Sequence, residues 1–320
     1  MAKLSFDKIG IRALSACVPA TSVDNATALR TLLSPEEIEK TVSAIGIRTR
    51  HVCGNGLDAD SLCLAAAKEI FTKTDIAPDS IDVLLHMSQS KRRSIPATAT
   101  ELHAKLGLTT GCAALDLSLG CSGYIFALAS AYAYVAAGAK RVLLTCGDAL
   151  SKIVDPADRV NAPLYGDAGT ATIVEAGDFG NAEFVLHTDG GSEAVKTRED
   201  GKIFMDGMEV FNFAIRRVPA AVKSLCPEPQ TLDWLVFHQA NKMMTDFLAA
   251  RLRVPAEKLA YSLQRYGNVS APSIPLTIAE CLADAPCRDK VLACGFGAGF
   301  SWGAVRCSLA GTTILKPIQI

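Results

Sequence analysis

The sequence predicts an α/β protein built from two duplicated halves. Three observations carry that prediction. Strand-like and helix-like segments alternate along the chain, the pattern of a mainly parallel sheet with helices on its faces. Two pairs of segments repeat at nearly one spacing. Ser80-Ile-Asp82-Val-Leu-Leu85 matches Thr231-Leu-Asp233-Trp-Leu-Val236, with Asp82 and Asp233 151 residues apart. Arg141-Val-Leu-Leu-Thr-Cys-Gly147 matches Lys290-Val-Leu-Ala-Cys-Gly295 with one deletion, Val142 and Val291 being 149 apart. Finally, 320 residues at roughly 150 per domain give about two domains.

The elements follow in order. Residues 83–86 form a short apolar run, 98–106 a helical pattern, and 113–117 a second apolar run. A helix apolar on all sides starts near residue 122, and a strand follows at 141–145. Such a helix is a core helix, which places it between two layers. Its apolar stretch, residues 124–139, is too short to span a bilayer. The polar, Gly-containing stretch 175–181 reads as the boundary between halves, dividing the chain into residues 1–178 and 179–320. No long linker separates them, so the halves are expected to pack tightly.

Composition excludes several classes. Hydrophobic residues make up 49% and charged residues 20%, which fits a packed globular chain rather than a disordered or fibrous one. Thirty-two basic residues against 33 acidic leave a net charge of −1, too little for a broad nucleic-acid or anionic-membrane footprint. The 11 cysteines are odd in number, form no C-x-x-C pair and mostly sit in apolar runs. That usage, with no apolar stretch at the N-terminus, points to a reducing cytoplasm. Cys281, Cys287 and Cys294 have no His at zinc-ligand spacing, so no metal is expected.

Three segments carry candidate chemistry. In Leu117-Ser-Leu-Gly-Cys121-Ser-Gly, a strand ends, a Gly turns the chain and the core helix begins, which sets Cys121 beside a helix N-terminus. There the helix dipole and unpaired N–H groups favour the thiolate, the effective nucleophile. In Trp234-Leu-Val-Phe-His238-Gln-Ala-Asn241, a strand delivers His238 to the C-terminal sheet edge, where α/β proteins bind ligands. In Tyr266-Gly-Asn268-Val-Ser-Ala-Pro-Ser-Ile-Pro275, the repeat register aligns Ser270 with Cys121, so Asn268 lies on the matching turn of the second half. Each has a purely structural alternative: a small core Cys, a core His, and a Gly-Asn turn before a Pro-started helix. Gly295-Phe-Gly-Ala-Gly299-Phe-Ser-Trp-Gly303 looks like a dinucleotide glycine run, but a strand follows it instead of a helix. Between two strands, its backbone N–H groups suit an oxyanion hole.

Taken together, the Gly120-Cys121-Ser-Gly, His238-Gln-Ala-Asn241, Gly267-Asn268-Val-Ser-Ala-Pro and Gly295–Gly303 segments resemble the thiolase superfamily, and within it the β-ketoacyl-acyl-carrier-protein synthase III family. Leu164-Tyr-Gly-Asp167, Met205-Asp-Gly-Met-Glu-Val-Phe211 and Gly46-Ile-Arg-Thr-Arg50 extend the resemblance over almost the whole chain. It implies a thiolase-like fold in layered α/β/α/β/α form, a homodimer, and a decarboxylating Claisen condensation. Cys121 would take an acyl group from acyl-CoA, and malonyl-acyl carrier protein would bring the acceptor on its phosphopantetheine arm. His238 and Asn268 would hold the enolate; backbone N–H groups of Cys121, Ala298 and Gly299 would hold the acyl oxyanion. Met205 and Phe296 would line the acyl pocket, with Ile95 entering from the second subunit. Arg48, Arg159, Lys242 and Arg251 would bind CoA or carrier. No cofactor, nucleic acid or membrane is implied.

Two departures stand out. The Trp and Arg that clamp the CoA adenine in many members are Lys40 and Ala44 here. Two basic places of the carrier patch are Asn212 and Met243. They keep a second reading in view, a specialised secondary-metabolism acyltransferase that passes its acyl group to a non-malonyl acceptor. A non-catalytic subunit is disfavoured by the intact Cys, His and Asn set.

Overall fold

The computed structural model describes residues 2–54 and 56–320. Among these, one eleven-stranded sheet and seven helices of nine residues or more build the fold. In chain order they are β1 (Ala2–Val18), α1 (Pro35–Ile45), α2 (Ala59–Lys73), β2 (Val83–Met87), α3 (Thr98–Leu106), β3 (Ala113–Leu117), α4 (Gly123–Ala136), β4 (Arg141–Ala149) and β5 (Asp167–Thr188). There follow α5 (Gly207–Leu225), β6 (Trp234–Phe237), α6 (Lys242–Leu252), β7 (Leu259–Ala260), α7 (Ser273–Leu282), β8 (Val291–Gly297), β9 (Ser301–Cys307), β10 (Thr313–Ile314) and β11 (Ile318–Gln319).

The pairing pattern repeats. In the first unit β3, β2 and β4 run parallel, β5 returns antiparallel to β4, and β1 lies antiparallel on β5. In the second, β7, β6 and β8 run parallel, β9 returns antiparallel to β8, and the far half of β5 lies antiparallel on β9. Side-chain alternation then sorts the layers. Val83, Leu85, Met87 and Val236 point inward to α4 and α7, which share one central cluster. Leu84 faces out to α2 and α3, while Leu235 and Phe237 face out to α5 and α6. The result is α/β/α/β/α, with the all-apolar α4 sandwiched as its composition requires. No helix of the described residues is long and apolar enough to cross a membrane.

The stretch 175–181, read as the boundary between halves, lies inside the continuous strand β5. Asp7 pairs with Asn181 and Ile9 with Ala176, so residues 177–180 bulge out where the shared strand bends. Asp, Gly and Asn read as turn residues, and here they make a bulge instead. Gly180 takes φ +74°, and Phe179 folds back onto Gly10, where a Cβ would lie 2.3 Å from it.

Close backbone approach also fixes α2 on the sheet. Gly147 and Gly169 face each other across β4 and β5, and a Cβ on Gly169 would fall 2.3 Å from the Cys63 nitrogen. Gly169→Ala should therefore cost about 2–3 kcal/mol in urea unfolding, as overpacking does. Gly190→Ala, with nothing within 4 Å, should stay within about 0.5 kcal/mol of the parent. Equal midpoints for the two variants would mean that α2 lifts off freely.

Candidate active site

Cys121 sits on the turn between β3 and α4. Gly120 C=O accepts from the Gly123 N–H at 2.7 Å, which closes the turn, and α4 begins two residues after the Cys. The matching turn of the second unit meets it. Cys121 Sγ lies 3.9 Å from Ser270 Oγ, the residue aligned with it by the repeat. Ser270 holds a left-handed backbone, φ +61°, just before α7.

The Gly-rich run explains itself by contact. A Cβ on Gly297 would lie 2.9 Å from Cys121 Cβ, and one on Gly295 2.9 Å from Ser122 Cα. The β8–β9 hairpin thus presses its backbone against the cysteine turn, and glycine alone permits the approach. The hairpin is tied down by Ser301 Oγ, which donates to Ala298 C=O at 2.9 Å and lies 2.7 Å from Ser122 Oγ. The N–H groups of Cys121 and Ala298 make no hydrogen bond to another residue among the described residues.

His238 follows β6 directly, its N–H donating to Cys294 C=O at 2.8 Å. Its Nδ1 is 2.7 Å from Ser273 Oγ, at the first turn of α7. Phe296 packs edge-on against the imidazole, ring centroids 5.5 Å apart. Asn268 is held by its neighbours. Its Oδ1 accepts the Ser270 N–H at 2.9 Å, which leaves the Nδ2 donor for a ligand. Its backbone bridges to Tyr165: the Asn268 N–H donates to Leu164 C=O at 2.8 Å and the Gly166 N–H to Asn268 C=O at 3.1 Å.

Burial governs the electrostatics. It pushes the Cys121 thiol up to about 12, with the Ser270 hydroxyl pulling the other way and the Asp148 carboxylate adding to the rise. Burial also pushes His238 down to about 3, opposed by a hydrogen bond to the Ser270 backbone. Both groups rest neutral. The helix start favours a thiolate, as the sequence implies, but desolvation outweighs it.

Cys121, His238 and Asn268 line one narrow cavity of about 50 Å³, together with Met205, Phe296 and Ala298. A second cavity of about 220 Å³ meets it at Cys121 and is walled by Tyr165, Ser270 and Ala298 among others. Gly299 lines neither. Ile95 is 86% exposed and lies outside both cavities. Arg48 and Lys242 share a separate cavity of about 500 Å³. Arg159 is exposed within electrostatic reach of Glu37, and Arg251 points to solvent on α6. Met208 and Met243 are 70% and 60% exposed, and Phe247 packs on Phe211. The sequence reading missed Tyr165, Ser270 and Ser273 as site residues, though all three lie inside motifs it quotes. Away from the site, Asp233, Cys287 and Asp289 bring metal-ligand atoms within 4.8 Å of one another. Asp233 there accepts the Asp289 and Lys290 N–H groups, an ordinary turn fastening.

Known proteins match this arrangement from end to end. Residues 115–190 match the family model described as 3-oxoacyl-[acyl-carrier-protein (ACP)] synthase III, and residues 227–308 match its C-terminal counterpart. A β-ketoacyl-[acyl-carrier-protein] synthase III of Brucella suis is 34% identical over 288 residues, covering 82% of this chain and 88% of the relative. The crystal structure of a 3-oxoacyl-(acyl-carrier protein) synthase from Burkholderia xenovorans superposes with a TM-score of 0.95 at 33% identity, over 100% of this chain and 99% of that one. The synthase III of Thermus thermophilus gives 0.86 at 34% identity, over 95% and 100%. OleA of Xanthomonas campestris, at 16% identity and TM-score 0.83, shares the fold. A relative one-third identical over most of both chains, on the same layered fold, decides the matter: the chain belongs to the β-ketoacyl-acyl-carrier-protein synthase III family.

Proposed function

We propose that the chain condenses a Cys121-bound acyl group, taken from acyl-CoA, with a malonyl thioester on acyl carrier protein. The observation that carries this reading is the convergence of Cys121, His238 and Asn268 on one cavity from two different units. Cys121 Sγ attacks the thioester carbonyl, the bond to CoA sulfur breaks, and the thiol proton leaves with CoA. The free N–H groups of Cys121 and Ala298 face the oxygen that gains charge. The malonyl thioester enters next. Asn268 Nδ2 and the His238 Nε2–H donate to its carbonyl oxygen as carbon dioxide departs and an enolate forms. Enolate carbon attacks the acyl carbon, releasing a 3-oxoacyl thioester and the Cys121 thiolate, which regains a proton.

The supporting roles follow from chemistry. With Ser273 at Nδ1, neutral His238 offers Nε2–H as a donor rather than a charge. Each donor at a developing oxyanion is worth about 3–4 kcal/mol. Met205 and Phe296 line the apolar part of the site. A second copy of the chain would bring Ile95, whose exposed side chain is otherwise unexplained, to the open 220 Å³ cavity. Arg48 and Lys242 would meet the phosphates of CoA or of the carrier arm, with Arg159 and Arg251 further out. The two units, residues 1–178 and 179–320, thereby divide the work into acylation and enolate formation, in a cytoplasmic enzyme without cofactor or metal.

Cys121→Ser should remove the acyl adduct seen by intact mass after incubation with acyl-CoA. His238→Ala and Asn268→Ala should keep the adduct yet slow carbon dioxide release from malonyl carrier protein by about 100- to 1,000-fold each. Adduct without release in the parent protein would instead assign a non-malonyl acceptor. Because His238 is held neutral down to about pH 3, carbon dioxide release by the pre-acylated enzyme should show no titration near pH 6.5. A fall below pH 6.5 that His238→Gln abolishes would mean that the working imidazole carries charge.

A further inference from the structure

Tyr165 forms part of the wall of both cavities that meet at Cys121, and it is only 2% exposed. Its hydroxyl has one partner among the described residues, the Met205 thioether, with Oη 3.6 Å from Sδ. A thioether is a weak acceptor, and a buried phenol normally finds a better one. A phenylalanine would fill the same apolar space without leaving a donor under-used. The phenol is also fixed in place. Its own carbonyl accepts from Arg50 Nη1 at 2.8 Å, and the flanking residues bridge to Asn268. Burial pushes its pKa up, and the neighbouring Cys121 adds to the rise, so it stays a donor.

The cavity around it is mixed rather than greasy. Gln89, Ser118 and Thr197, all exposed, line the 220 Å³ cavity with Tyr165 and put polar groups on its solvent side.

We infer that the acyl group loaded on Cys121 is oxygenated, with a hydroxyl or oxo oxygen a few atoms from the thioester, and that the Tyr165 hydroxyl donates to it. The inference rests on the reading of Cys121 as the acylated residue and adds the substrate class. Tyr165 is then the specificity-determining residue of the acylation step.

The test compares butyryl-CoA with 3-hydroxybutyryl-CoA and 4-hydroxybutyryl-CoA on the full-length protein. Second-order acylation rates are read by intact mass, with Cys121→Ser as the blank. At least one hydroxylated donor should acylate about 10- to 100-fold faster than butyryl-CoA. Tyr165→Phe should bring that ratio to about one. Met205→Leu, which removes only the thioether, should keep the ratio. A parent enzyme that prefers butyryl-CoA, or a Tyr165→Phe variant that keeps the ratio, overturns the inference while leaving the acyl-Cys121 reading intact. Loss of the ratio in Met205→Leu as well would assign the preference to packing around that side chain and overturn it too. No adduct with any donor sinks both readings. Thermal melts of both variants separate loss of fold from loss of discrimination.

Discussion

The site exists because two turns from different units touch with no side chain between them. Gly295 and Gly297 present bare backbone to Ser122 and Cys121, and a single added methyl at either place would sit within 2.9 Å of the cysteine turn. That contact sets how deep Cys121 lies and where the free Ala298 N–H falls. It also holds α4 and α7 in register, since both start at this seam. The opposite side of the seam is stitched by Tyr165 and Asn268 backbone groups. Nothing here depends on ion pairs. The geometry is set by close-packed backbone, which deforms little.

The same packing makes the chemistry run on dipoles. Burial disfavours charge on Cys121 and on His238 in opposite pKa directions, and both therefore rest neutral. In the proposed reaction charge appears first on an acyl oxygen and then on an enolate, and donors fixed beforehand would meet it without rearranging. The enclosing hydrogen bonds, Ser273 to His238 and the Ser270 N–H to Asn268, hold those donors in place rather than contact the substrate themselves.

Much of this was legible in the residues. The spacing of the repeated strands placed Ser270 opposite Cys121, and their side chains lie 3.9 Å apart. Core strands and the all-apolar helix read correctly because periodicity reports burial directly. That the stretch 175–181 stays within one strand was not legible, since bulges and turns use the same residue types and only the partner strand β1 tells them apart. Gly299 was named with Ala298 as one turn, and of the two Ala298 lines the cavities. Tyr165 was hidden for a different reason. Its importance comes from a poor hydrogen-bond partner in three dimensions, and no sequence pattern encodes that.

The long first strand carries one last consequence. β1 pairs with β5 along its length and is bordered on its other side by β10 and β11, formed by residues 313–319. Ala13 and Leu14 thus wait for Thr313 and Ile314, and Cys17 and Val18 for Ile318 and Gln319. Until that segment is made, the first unit can assemble its own parallel strands, but this side of β1 stays an open edge. Such an edge is where unwanted strand pairing starts. The N-terminal end of β1, which neither strand covers, carries Lys3, Asp7 and Lys8, whose charges blunt its edge.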